Sequence, residues 1–92
     1  MLSDIVEARP LEGYRLYLRF EDGVEGVVDL GQHLRFEGVF EPLKAREFFV
    51  QVRVDPEGGT ISWPNGADLD PDVLYSRVTG VPVAVELANT QV

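Results

Sequence analysis

Asp68, Asp70 and Asp72 stand at alternate positions, separated by Leu69 and Pro71. Carboxylates spaced this way open calcium-binding loops, which also need glycine at the sixth position and glutamate at the twelfth. Here those positions hold Val73 and Thr79, so no metal is expected. His33 is the only histidine and cysteine is absent. That excludes a histidine or cysteine metal cluster, disulfides and thiol catalysis. Ser62 and Ser76 could formally be grouped with His33 and an aspartate, but no Gly-x-Ser-x-Gly nucleophile elbow is present. A lone His33 in a polar loop reads as surface decoration. Gly58-Gly59 is not followed by the Gly-Lys-Ser/Thr of a phosphate loop. With 16 acidic residues, paired carboxylates can be drawn almost anywhere and point to no reaction. No catalytic residue and no cofactor are assigned.

What remains is recognition. Trp63, Asn65, Asp68, Asp70 and Tyr75 fall in one short stretch and are the candidates for binding a ligand or partner. Trp63 is large and its indole N–H needs an acceptor. Asn65-Gly66 can expose backbone donors. The same residues also have an architectural reading. Trp63 would close the core, and Asn65-Gly66 would turn the chain. Asp70 would cap a helix that opens on Pro71, with Asp72 in its first turn.

These residues need a scaffold, and hydrophobic alternation supplies one. Asp4–Arg9 reads as a short strand, and Pro10 to Gly13 as a turn. Tyr14, Leu16, Leu18 and Phe20 alternate with Arg15, Tyr17 and Arg19, which is period 2. A three-residue loop, Glu21-Asp22-Gly23, puts glycine where a left-handed residue is needed. Phe20 then faces Val24, Leu18 faces Gly26, Leu16 faces Val28 and Tyr14 faces Leu30. The other face sets Arg19 opposite Glu25 and Arg15 opposite Asp29. A one-residue slip would swap the faces, so the apolar pattern selects this register. It gives both arginines acidic cross-strand partners and removes the appearance of a basic-aromatic nucleic-acid stripe.

Gly31–Phe36 reads as a loop or helical turn. Val39, Phe40 and Leu43 have helix-like spacing, limited by Pro42. Lys44–Phe49 suggests a short helix. Val50–Asp55 reads as a strand that returns through Pro56–Gly59 into Thr60–Trp63, with Val54 facing Ile61 and Val52 facing Trp63. The helix from Pro71 should run to about Val78 and end near Gly80. Val81, Val83, Val85 and Leu87 alternate, and Pro82 suits an edge strand. The fold class is α+β, a mainly antiparallel sheet of hairpins with two short helices.

The 92 residues form one expected domain, 1–92, with a thin core. The net charge is −8, which argues against a phosphate-binding surface and against direct nucleic-acid binding. No signal peptide and no apolar run long enough to span a membrane are read, so a cytoplasmic protein is expected.

Several motifs occur in order. They are Phe20-Glu21-Asp22-Gly23, Asp29-Leu30, Val39-Phe40-Glu41-Pro42-Leu43 and the Phe48-Phe49 pair before Val52-Arg53-Val54-Asp55. Gly59-Thr60-Ile61 and Trp63-Pro64-Asn65-Gly66-Ala67-Asp68 follow, through to Leu74-Tyr75. Over residues 4–78 this set resembles the small bacterial family called domain of unknown function 2442. The resemblance implies a small α+β fold of bacterial origin and transfers no catalytic residue. It also implies a neighbouring gene for another small protein, in a toxin–antitoxin-like arrangement. Some members of that family carry a fused helix-turn-helix domain. This chain ends at Val92 without room for one, so DNA binding by it alone is not expected.

The reading is therefore a non-catalytic protein-interaction module, the acidic partner of a small toxin-like or regulatory protein. The alternative is a small-molecule-binding protein or enzyme with a site near Trp63–Asp70. A deep polar pocket there would favour the alternative, and a flat or acidic face the interaction module. The apolar face of 81–87 either closes the chain's own sheet or, the expected outcome, builds a homodimer, since a bare edge invites a second chain. Light scattering on the full-length protein at micromolar concentration should give twice the chain mass. A monomer would defeat the dimer.

Overall fold

The structure is a computed structural model and describes residues 3–80. Two three-stranded antiparallel sheets carry the fold, joined by short helices, which confirms the α+β class. The strands divide into two sheets where alternation alone suggested one. The expected strand at 81–87, and the dimer it would build, lie outside the described residues.

The first sheet has the order β1 (Ile5–Pro10), β2 (Arg15–Phe20), β3 (Glu25–Asp29). The β2–β3 register is the one that the apolar pattern selects, with Leu18 opposite Gly26, Leu16 opposite Val28, Arg19 opposite Glu25 and Arg15 opposite Asp29. Its loop closes through Gly23 N–H to the Phe20 carbonyl and Phe20 N–H to the Val24 carbonyl, with Gly23 at φ 94°. β1 continues through Pro10, one residue past the expected end. Leu11 N–H bonds to the Arg15 carbonyl, so strand alternation turns the nitrogen of Pro10 to the outer edge, where no donor is missed.

The ionic partners differ from those that the register suggests. Arg19 lies opposite Glu25 but bonds Glu7 of β1 at 3.1 Å. Glu7 also holds Arg9 at 3.0 Å, while Glu25 accepts from the Tyr17 hydroxyl. Arg15 reaches Glu12 at 3.8 Å, while the Asp29 carboxylate accepts from the Gly31 N–H. That bond caps α1 (Leu30–His33), a single turn.

A 3-10 helix (Gly38–Lys44) and α2 (Arg46–Phe49) follow. Pro42 is accommodated inside the 3-10 helix. The next strand, β4, spans only Arg53–Asp55, shorter than the expected Val50–Asp55. Val50 and Gln51 are still closing α2, through N–H bonds to the Arg46 and Phe48 carbonyls. Val54 pairs with Ile61 as expected, but the ladder stops at Arg53–Ser62, short of Val52–Trp63. β5 (Thr60–Ser62) then pairs with β6 (Asp68–Leu69), a strand that alternation did not reveal. The turn between them repeats the first hairpin: Gly66 N–H bonds to Trp63, Trp63 N–H bonds to Ala67, and Gly66 lies at φ 94°.

α3 (Pro71–Thr79) starts and stops as its signals require. The Asp70 carboxylate accepts from Asp72 N–H at 2.8 Å, and Gly80 ends the helix at φ 80°. Leu16, Leu18, Phe20, Leu43, Phe49, Ile61 and Trp63 are fully buried in one core. The sheets meet where Ile5 N–H bonds to the Gly59 carbonyl. Gly59 is buried at φ 67°, and a Cβ there would lie 2.3 Å from Asp4 Cγ.

α3 packs on β3, and Gly26 permits the approach. A Cβ at Gly26 would sit 2.7 Å from Val78 Cγ1. A β-branched side chain has little χ1 freedom to move aside. Gly26→Ala should therefore destabilise the fold by about 1–3 kcal/mol through overpacking. Urea unfolding checks this, and adding Val78→Ala should recover much of the loss. An unchanged midpoint in the single variant would show that α3 adjusts freely.

Candidate functional site

A groove of about 440 Å³ opens where the second sheet meets α3. Gly58 and Thr60 line it from the β4–β5 hairpin, Asp68 and Leu69 from β6, and Asp70, Pro71 and Asp72 from the start of α3. The local sequence dictates this arrangement. The Pro64-Asn65-Gly66 turn returns the chain as β6 beside β5, with Asp68 opposite Ser62. Asp70 then caps α3 directly after β6, which carries Asp72 into the same wall. Gly58, Asp68 and Asp70 are exposed, so the groove is shallow and solvent-facing rather than enclosed.

Its chemistry is acidic. Among the described residues, three carboxylates share the groove and the only side-chain hydroxyl lining it is that of Thr60. The positive end of α3 beneath them moderates their repulsion. Among the described residues no histidine or lysine lines the groove. Among the described residues no group of three or more ligating side chains is arranged to hold a metal. The arrangement can attract cationic groups.

The five candidates from the sequence separate. Asp68 and Asp70 come together in the groove. Trp63 lies behind it, 1% exposed, donating its indole N–H to the Phe49 carbonyl at 3.0 Å. Asn65 donates to the Val39 carbonyl at 2.8 Å and accepts from Ala67 N–H, which fixes its own turn. Tyr75 does not line the groove. Its ring packs edge-on against Phe20, 4.9 Å between centroids, and its hydroxyl donates to Asp22 at 2.6 Å. Gly58, Thr60, Leu69, Pro71 and Asp72 complete the groove and were not among the candidates. The signal for them was the second glycine-bearing three-residue loop, which places β6 next to β5.

The family described as "Protein of unknown function (DUF2442)" matches residues 5–80. The chain belongs to this family. No curated protein and no solved structure matches the chain. The DUF2442 span contains both sheets, α3 and every residue of the groove. No helix among the described residues is long and apolar enough to cross a membrane.

The Tyr75–Asp22 bond ties α3 to the β2–β3 loop, and both groups titrate abnormally. The Tyr75 hydroxyl, helped by Val24 N–H, holds the Asp22 carboxyl below its ordinary 3.8. The same bond to Asp22, with some burial, raises the Tyr75 phenol above its ordinary 10.0. A depressed carboxylate stabilises the fold above its unfolded pKa and loses that contribution as pH falls through the folded value. A raised phenol contributes below its unfolded pKa and loses the contribution as pH rises through the folded value. The link is thus complete between these limits and fails in strong acid and strong base. Tyr75→Phe should lower the urea midpoint most at pH 7, with the gap to wild type closing below pH 4 and well above pH 10. A gap of equal size at all three pH values would place the cost in ring packing alone.

Proposed function

We propose that this DUF2442 protein is a non-catalytic protein-interaction module, and that the acidic groove is its docking surface. One observation carries the reading: Asp68, Asp70 and Asp72 converge on one open groove. The other candidates, Trp63 and Asn65, are spent on internal bonds. A basic partner follows from that charge, with the net −8 of the chain steering its approach. In the cytoplasm of a bacterium such a partner would be a small toxin-like or regulatory protein. The second reading, a small-molecule site at Trp63–Asp70, asks for an enclosed pocket lined by convergent polar groups. The groove is open and its indole is out of reach, which supports the first reading.

Affinity capture from native lysate tests it, using full-length protein beside an Asp68→Asn/Asp72→Asn variant of equal melting temperature. Asp70 is left intact, because losing its cap would cost about 1 kcal/mol of stability. The expected result is a basic protein retained at low salt by the wild type and reduced at least tenfold by the variant. A partner held equally by both, or no specific partner, would overturn the groove as the docking surface.

A further inference from the structure

A second, apolar cleft of about 60 Å³ adjoins the acidic groove. Leu30, Leu34, Leu69, Val73 and Leu74 line it, with Arg77 at its rim. Leu69 belongs to both hollows, so they form one continuous surface along α3. Val73 is 43% exposed at the mouth, although it sits on a helix that buries Leu74 in the core. An exposed aliphatic residue beside a concave apolar wall is the form of an anchor pocket. Arg77 makes no ion pair with any described residue. The charge along α3 therefore runs from carboxylates at one end, past an apolar cleft, to a guanidinium at the other.

We propose that the occupant is an extended peptide segment of a partner protein with a fixed order of chemistry. It carries lysine or arginine over Asp68 and Asp72, then a branched aliphatic side chain in the Leu34–Leu69–Val73 cleft, then an acidic group at Arg77. This rests on the acidic groove being the docking surface and adds the anchor and the order of chemistry around it. The order follows from the lining: Leu69 is shared by both hollows, the carboxylates line only the first and Arg77 only the second, so the aliphatic side chain falls between the two charged ones. Charge complementarity selects a basic peptide over the competing ligands. Three carboxylates repel the phosphates of nucleic acid and of anionic lipid headgroups alike.

The test is selection of a displayed library of random heptapeptides on the immobilised full-length protein. The expected winners carry Lys or Arg on one side of a Leu, Ile or Val and Asp or Glu on the other. Fluorescence anisotropy of the best peptide should weaken at least tenfold with Val73→Ser and with Val73→Arg. Val73 is exposed enough for both variants to fold, which matched melting curves would confirm. Winners that are basic but indifferent to an aliphatic residue and to Val73 would overturn the anchor and leave the acidic groove standing. Winners with both charges on the same side of the aliphatic residue would overturn the order. An absence of basic winners, or retention on phosphatidylserine vesicles instead, would overturn both the anchor and the groove.

Discussion

The Trp63 indole holds the second half of the molecule together. Its N–H reaches the Phe49 carbonyl, and its ring lies 6.4 Å from that of Phe49. α2 is only four residues long and could not persist on its own propensity. The second sheet has strands of two or three residues, too short for independent stability. Each is secured by the other through one buried aromatic contact and one satisfied donor. An indole left buried without an acceptor would cost about 1–3 kcal/mol, so the Phe49 carbonyl is a requirement and not an ornament.

α3 joins the two halves and serves both. Its N-terminal turn carries the groove carboxylates, while Leu74, Tyr75 and Val78 bind it to the core, to Phe20 and Asp22, and to Gly26. A nine-residue helix moves as a unit, so the position of the groove wall is set by the fit of Val78 against a glycine. The carboxylates are thereby presented on a rigid element, which limits the ordering cost of binding.

Much of this was legible in the sequence, for reasons that differ by element. The β2–β3 register could be read because both faces of both strands are patterned and the loop length is marked by Gly23. β6 could not be read from periodicity, since two residues are too few to alternate. Its loop, Pro64-Asn65-Gly66, was nevertheless a second instance of the device recognised at Gly23. The strand at Val50 was read too long because period 2 does not register a helix end that takes the first valine of a series. The ion pairs were misplaced because register fixes backbone neighbours, whereas an arginine side chain is long enough to reach a carboxylate on the next strand or in the preceding turn. In the site, aspartate spacing marked Asp68 and Asp70. Trp63 was readable both as a core residue and as a binding residue, because an indole serves either. The deciding acceptor lies 14 residues away.

The Asn65-Gly66 turn carries a chemical liability that the fold contains. Asparagine before glycine loses its amide when the following backbone nitrogen attacks the side-chain carbonyl to close a five-membered imide. Here the Gly66 nitrogen is committed to the Trp63 carbonyl, and the Asn65 side chain is held at both ends. Attack would require breaking the turn. Once the chain opens, the constraint vanishes and the amide begins to age. Hydrolysis of the imide would leave a carboxylate facing the Val39 carbonyl, two acceptors with no proton between them. Each excursion from the native state thus risks a covalent change that hinders the return, so unfolding becomes progressively irreversible with time spent open.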